Sequence, residues 1–326
     1  MQAPLAVGGN RLTWSEVAPE VRHALETALG ASVVDAASQP GGFSPGMASR
    51  LRLADGRRVF AKAVSSARNR HAPDMYRREV SVLSVLSGLP ADVPAPRLLW
   101  SYDDGSWVAL VTEDVDGHPP AQPWRPDELG RFLDAAADLA RRLTPSPLPV
   151  DPIARYLADD FASWRALAAD PVRADRLDPQ ARADRLDPWA KANLDRLAAI
   201  ESRWVAAAEG DTLLHCDLRA DNVLLTGDGV VFVDWPHACT GAAWVDPVLS
   251  IPSIAMHGGG PPEEIWARYP LSGRVDPDAV TAVLTAAAGY FTYVGMLPPP
   301  PNLPTVRAFQ RAQGHAAMAW LRERLR

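Results

Sequence analysis

The sequence predicts a two-lobed α+β fold, with a small antiparallel-sheet lobe followed by a larger, mainly helical lobe. Three observations carry this. Paired strand signals around a single helix fill residues 50–112. The run Glu113-Asp-Val-Asp-Gly-His-Pro-Pro120 then breaks the pattern. Beyond it, apolar residues recur at helical rather than strand spacing. We expect residues 1–112 as the first lobe, 113–120 as a connector and 121–326 as the helical lobe. At 326 residues the chain is long enough for both.

The elements follow in order. Leu51-Arg-Leu53, the turn Ala54-Asp-Gly56 and Val59-Phe-Ala-Lys-Ala-Val64 read as a hairpin. Met75, Val82, Leu83 and Leu86 mark a helix. Leu98-Leu-Trp-Ser-Tyr102, Asp103-Asp-Gly105 and Trp107-Val-Ala-Leu-Val-Thr112 make a second hairpin. Helical spacing then runs over residues 127–143, 153–169 and 188–208. Asp-Pro recurs at 151, 170, 178, 187, 246 and 276, each able to cap a helix with proline at its first position. Arg-Ala-Asp-Arg-Leu-Asp-Pro occurs twice, from 173 and from 182, too few copies for a stacked repeat. Residues 279–297 carry no charge, yet are rich in Ala, Thr and Gly. They read as a buried helix rather than a membrane span.

Composition excludes several classes. Two cysteines, Cys216 and Cys239, with no CxxC rule out a disulfide framework or a zinc ribbon and suit a reducing cytosol. A net charge of −6 without a Lys/Arg run makes a poor partner for nucleic acid. No targeting or membrane segment is expected. The reading is a cytoplasmic monomer or weak homodimer.

The most informative segment is Leu213-Leu-His-Cys-Asp-Leu-Arg-Ala-Asp-Asn-Val-Leu-Leu-Thr226, followed by Val230-Val-Phe-Val-Asp-Trp-Pro236. It reads as a loop, a short strand, a turn at Gly227-Asp-Gly229 and a second strand ending at Asp234. The pattern His-x-Asp-x-x-x-x-Asn, with an Asp at a strand end twelve residues on, resembles a kinase catalytic loop and its metal-binding Asp. Phosphoryl transfer asks a protein for positioning and charge neutralisation. Asp217 would accept the proton of the attacking hydroxyl. Asn222 and Asp234 would offer oxygens to Mg²⁺. His215 would hold the loop by hydrogen bonds.

The rest of the site is expected upstream. In Gln39-Pro-Gly-Gly-Phe-Ser-Pro-Gly46 the residues Gly42, Ser44 and Gly46 are candidates to approach phosphates, and a plain turn fits equally well. Lys62, mid-strand, would clamp phosphates. Glu79 shares the apolar helix face of Met75 and Leu83, and a carboxylate there needs a partner, which Lys62 can be.

Together these residues resemble the aminoglycoside phosphotransferase family, the antibiotic and small-metabolite branch of the protein-kinase-like fold that also includes choline kinases. The resemblance spans roughly residues 35–250. It implies ATP, or GTP, with Mg²⁺ as cofactors. The acceptor it implies is a small-molecule hydroxyl, foremost an aminoglycoside or other hydroxylated antibiotic, as in antibiotic resistance. Choline, homoserine and amino sugars are the metabolic alternatives, and a nucleotide-binding pseudokinase is the non-catalytic one. It further implies that Glu113 and Val115 bind adenine through backbone groups. Asp246, in Gly241-Ala-Ala-Trp-Val-Asp246-Pro247, would buttress the catalytic loop or cap the next helix. There are departures. Cys216 stands where the family commonly has Gly. Arg219 stands where His or Lys is common, and either neutralises the γ-phosphate or faces solvent. Trp235-Pro236 follows the metal Asp, which predicts a permanently assembled site. The acceptor is expected near residues 153–170 and 250–310. Asp159, Asp160, Glu263 and Glu264 are candidate carboxylates there, and Trp164, Trp244 and Trp266 are candidate wall or core residues.

Overall fold

A computed structural model describes residues 3–8, 10–89, 93–170 and 186–326. Helix α1 (Pro19–Leu29) precedes a five-stranded sheet of β1 (Val33–Ser38), β2 (Met47–Leu53), β3 (Arg58–Ser65), β4 (Leu98–Asp103) and β5 (Trp107–Glu113). The strand order is β1-β2-β3-β5-β4 and every pairing is antiparallel. Alternation along β2 and β3 sends Met47, Leu51, Leu53, Val59, Ala61 and Ala63 into a core with Val21 and Leu25 of α1. Helix α2 (Ala72–Leu86) connects β3 to β4. It buries Tyr76, Glu79, Val82, Leu83 and Leu86 as one face.

The remainder is mainly helical. It contains α3 (Pro126–Arg142), α4 (Ser163–Ala169), α5 (Leu194–Glu201), α6 (Val245–Met256), α7 (Pro277–Gly295) and α8 (Val306–Arg324), with further short helices and turns between them. Short strands β6 (Thr212–Leu214) and β9 (Cys239–Gly241) pair with each other, as do β7 (Val223–Leu225) and β8 (Val230–Phe232). The two-lobed α+β expectation agrees with this architecture.

Helix α7 is the uncharged stretch of the sequence, and residues Val280 to Gly289 are buried among α4, α5 and α8. Among the described residues no helix is long and apolar enough to cross a membrane. The stretches 153–169 and 188–208, expected as continuous helices, are broken. Phe161 leaves helical geometry at ψ 34° while packing its ring on Trp204. The Asn193 side chain donates to the Trp189 carbonyl, competing with the helical ladder, and the helix restarts at Leu194. Of the Asp-Pro sites, Asp187 and Asp276 cap helices with their side chains. Asp178 and most of the duplicated segment lie outside the described residues.

Candidate active site

The loop that follows β6 is built by its own hydrogen bonds. Strand β6 delivers His215, whose ring is fully buried against Trp235 at 4.6 Å. Its Nδ1 accepts the Asp217 N–H at 3.2 Å, so Nε2 carries the proton and donates to the Val233 carbonyl at 3.0 Å. Burial pushes the imidazole down to about 4, and it stays neutral. Such a histidine is a brace between the loop and the segment after β8. Asp246, in the first turn of α6, accepts the His215 N–H at 2.8 Å and the Cys216 N–H at 2.7 Å. It therefore faces the loop rather than capping its own helix, and burial pushes its carboxyl up to about 6.

Asp217 is held on both sides. Asn222 Nδ2 donates to its Oδ2 at 3.0 Å and to its carbonyl at 2.8 Å. Arg219 Nη1 donates to its Oδ1 at 2.7 Å. Burial pushes the Asp217 carboxyl up to about 7 against the pull of Arg219. Arg219 itself is not a solvent residue. It also grips Asp221 through Nε and Nη2, and its guanidinium lies 5.6 Å and 5.7 Å from the rings of Phe43 and Phe309.

Lys62 brings the distant pieces together. Its Nζ donates to both Glu79 oxygens at 2.8 Å and, across 172 positions of sequence, to Asp234 Oδ1 at 2.7 Å. Burial alone would push the ammonium down; the Asp234 and Glu79 carboxylates more than offset this and hold it up. Burial works against the charge on Asp234 too, and Lys62 overrides it, holding this carboxyl well below the usual range. Asp234 sits at φ 68°, a left-handed backbone uncommon for aspartate.

Two cavities meet here. One, of about 630 Å³, lies between the sheet and the β7 strand. Lys62, Glu79, Asn222 and Asp234 line it, as do Glu113 and Val115, with Phe60, Leu110, Leu224 and Val233 as apolar walls. The other, of about 460 Å³, opens on Asp217, Arg219 and Asp234 and is walled by Phe43, Tyr156, Phe161, Tyr290, Phe291 and Phe309. Asp234 lines both. Of the glycine-rich loop, Gly42 reaches the first cavity, with φ 81°. Ser44 instead bonds Tyr76 Oη at 2.9 Å and lines the second. Gly46 lines neither. A Cβ there would fall 2.6 Å from the Ala63 carbonyl and 2.7 Å from Tyr76 Oη, so its missing side chain serves close packing on β3. Asp160 is at the second cavity, while Asp159, Glu263 and Glu264 line neither. Glu263 is paired with Arg324 at 2.7 Å. Trp164, Trp244 and Trp266 line neither cavity.

A family model described as the phosphotransferase enzyme family matches residues 48–282. The chain belongs to the phosphotransferase enzyme family. Solved structures share its fold. An aminoglycoside phosphotransferase in ternary complex with AMP-PNP and hygromycin B has a TM-score of 0.59 at 16% identity, over 94% of this chain and 98% of its own. An aminoglycoside phosphotransferase from Alicyclobacillus acidocaldarius has 0.57 at 18%, over 100% and 97%. The choline kinase of Streptococcus pneumoniae has 0.58 at 11%, over 92% and 98%. No curated protein matches the sequence.

Membership of the phosphotransferase family gives one departure a physical meaning. Cys216, standing where glycine is common, has φ 62°, the left-handed region that glycine enters freely. Its Sγ lies 3.0 Å from Cys239 Sγ, and this contact and burial push its thiol well above the ordinary value. Sequence reasoning missed Tyr76, which anchors the glycine-rich loop, and the aromatic walls contributed by α7 and α8. The phenylalanines and tyrosines there carry no spacing that separates a pocket wall from a core.

Proposed function

We propose that this phosphotransferase moves the γ-phosphate of ATP to a hydroxyl of a small molecule, with nucleotide in the larger cavity and acceptor in the aromatic one. The observation that carries the reading is the meeting of both cavities at Asp234, with Lys62 on one side and Asp217 on the other. Adenine would lie between Phe60, Leu110 and Leu224, against the backbone of Glu113 and Val115, with residues 113–120 as hinge. Lys62 would hold phosphates and Glu79 orient the lysine. Asp217 would take the acceptor proton, with Arg219 setting its carboxylate in place.

The residues present fit Mg²⁺. Asn222 spends its amide N–H groups on Asp217 and so keeps its oxygen for another partner, and Asp234 has a second carboxylate oxygen beyond the one Lys62 holds. These are hard oxygen donors on one cavity wall. Among the described residues no group of three or more His, Cys, Asp or Glu could hold a metal by itself. Two protein oxygens completed by nucleotide phosphates and water is the arrangement Mg²⁺ prefers. Bound there, the ion would neutralise charge on the transferring phosphoryl group.

The lining of the aromatic cavity supports a narrower substrate class. Seven phenylalanine and tyrosine rings wall it, Tyr76 among them, and beyond Asp217 and Asp234 its only carboxylate among the described residues is Asp160. A polycationic aminoglycoside needs several desolvated carboxylates. We infer a hydroxylated compound with a broad apolar face and at most one amine, such as a less charged antibiotic. ADP release measured over a panel of polycationic aminoglycosides, macrocyclic or nucleoside antibiotics, choline and homoserine tests both levels. Turnover should favour apolar-faced compounds. Asp217→Ala should lower turnover by about 10²–10⁴-fold while nucleotide binding survives. Equal turnover by Asp217→Ala would contradict the assignment.

A further inference from the structure

The larger cavity has a wall that precedes the sheet altogether. Leu5, Ala6, Val7 and Arg11 line it, all within the first twelve residues and outside the family-matched region. This strap is tied at both ends of the site. Val7 bridges Gly41, and the Gly42 N–H donates to the Ala6 carbonyl at 2.7 Å. On the helical side, Thr305 Oγ1 donates to the Val7 carbonyl at 2.6 Å and His257 Nε2 to the Pro4 carbonyl at 3.0 Å.

The charge balance of that cavity singles out Arg11. Its lining carries the carboxylates Glu79, Glu113, Asp114, Asp221 and Asp234. Of its cations, Lys62 is committed to Glu79 and Asp234, and Arg50 to Asp114 at 3.1 Å. Arg11 is the remaining one, and among the described residues it has no carboxylate partner. Its Nη2 donates to the Gly41 carbonyl, and its Nε is buried with no hydrogen-bond partner. An orphaned buried donor on a guanidinium costs stability unless something completes it. The strap also occupies one donor that a glycine-rich loop would offer a phosphate, because the Gly42 N–H is taken by Ala6. The Arg11 fork stands in its place: a Cβ on Gly42 would lie 3.1 Å from Arg11 Nη2.

We propose that Arg11 is a ligand of the nucleotide's phosphates beyond the α position, presented by the N-terminal strap. This rests on the reading of the larger cavity as the nucleotide site. A guanidinium matches phosphate oxygens two at a time and stays charged in a closed site. It would offset the carboxylates that otherwise repel a polyanion.

Calorimetric binding of adenosine, ADP and AMP-PNP, each with Mg²⁺, to the full chain and to Arg11→Gln and Arg11→Lys tests this. Arg11→Gln should weaken ADP and AMP-PNP by about 10- to 100-fold and leave adenosine unchanged. Arg11→Lys, one point charge without the fork, should fall between. Wild-type affinity for AMP-PNP in Arg11→Gln overturns the proposal alone. So does an equal loss for adenosine and AMP-PNP, which marks a packing role. Wild-type protein that binds none of the three overturns the nucleotide reading together with it.

Discussion

Cys216 and Asp246 show how single side chains set the loop after β6. Cys216 holds a left-handed backbone that costs a non-glycine residue about 1–2 kcal/mol, and Asp246 fastens the two peptide N–H groups around it. Cys216→Gly should therefore fold with near-wild-type stability and keep turnover. Cys216→Val, β-branched in the same backbone, should lose both, as read by melting and ADP release. The pH behaviour of Asp246 follows from its raised carboxyl. The stability it contributes is fully present below its unfolded value near 3.9. That contribution is lost as pH rises through about 6. In denaturant titrations the advantage of wild type over Asp246→Asn should shrink between pH 4 and pH 7; a constant gap would contradict that. At this scale much was legible. His215, Asp217, Asn222 and Asp234 stand at fixed spacings along the chain, so their order alone announces them. Arg11 stands in no motif and on no periodic face, and only the folded strap brings it to the cavity.

Elements hold these residues against one another. Helix α2 places Glu79 on Lys62, and from the preceding position Arg78 donates to the Pro236 and Ala238 carbonyls at 3.0 and 3.2 Å. Trp235 is fully buried, and its indole N–H donates to the Phe232 carbonyl at 2.8 Å. The segment after Asp234 is thus pinned by a helix, a tryptophan and a proline. We expect paired structures with and without nucleotide to keep Asp234 at both cavities, and an Asp234 swung out of them would refute this. The glycine-rich loop depends on one close contact. Gly46→Ala pushes a methyl into the Ala63 carbonyl and Tyr76 and should cost about 1–3 kcal/mol in denaturant titration. The two long hairpins were legible because strand alternation flanks Asp-Gly turns. The helical lobe was less so. Helices at 153–169 and 188–208 are interrupted by Phe161 and Asn193, whose tertiary partners a sequence does not display. Helix α8 was invisible, because its buried face mixes Gln313 and Gly314 with Phe309, Met318 and Trp320.

Over the whole molecule, charge and apolar surface are divided between two neighbouring cavities. The larger cavity carries carboxylates with Lys62 and Arg11; the aromatic cavity carries rings and one carboxylate besides Asp217 and Asp234. The likeness to an enzyme solved with hygromycin B and to a choline kinase extends over nearly the whole chain at 16% and 11% identity. The fold is therefore held in common, and because a shared fold does not set the acceptor, the acceptor must be read from this chain's own rings. The central claim is that Lys62, Asn222, Asp217 and Asp234 converge on one divalent ion and the terminal phosphate of a nucleotide. Crystals grown with AMP-PNP and Mn²⁺, whose anomalous signal locates the ion, test it most directly. The ion should lie about 2.1 Å from the Asn222 amide oxygen and an Asp234 carboxylate oxygen, with Lys62 on the phosphates. An ion or triphosphate bound elsewhere, with Asn222 and Asp234 untouched, would contradict the account.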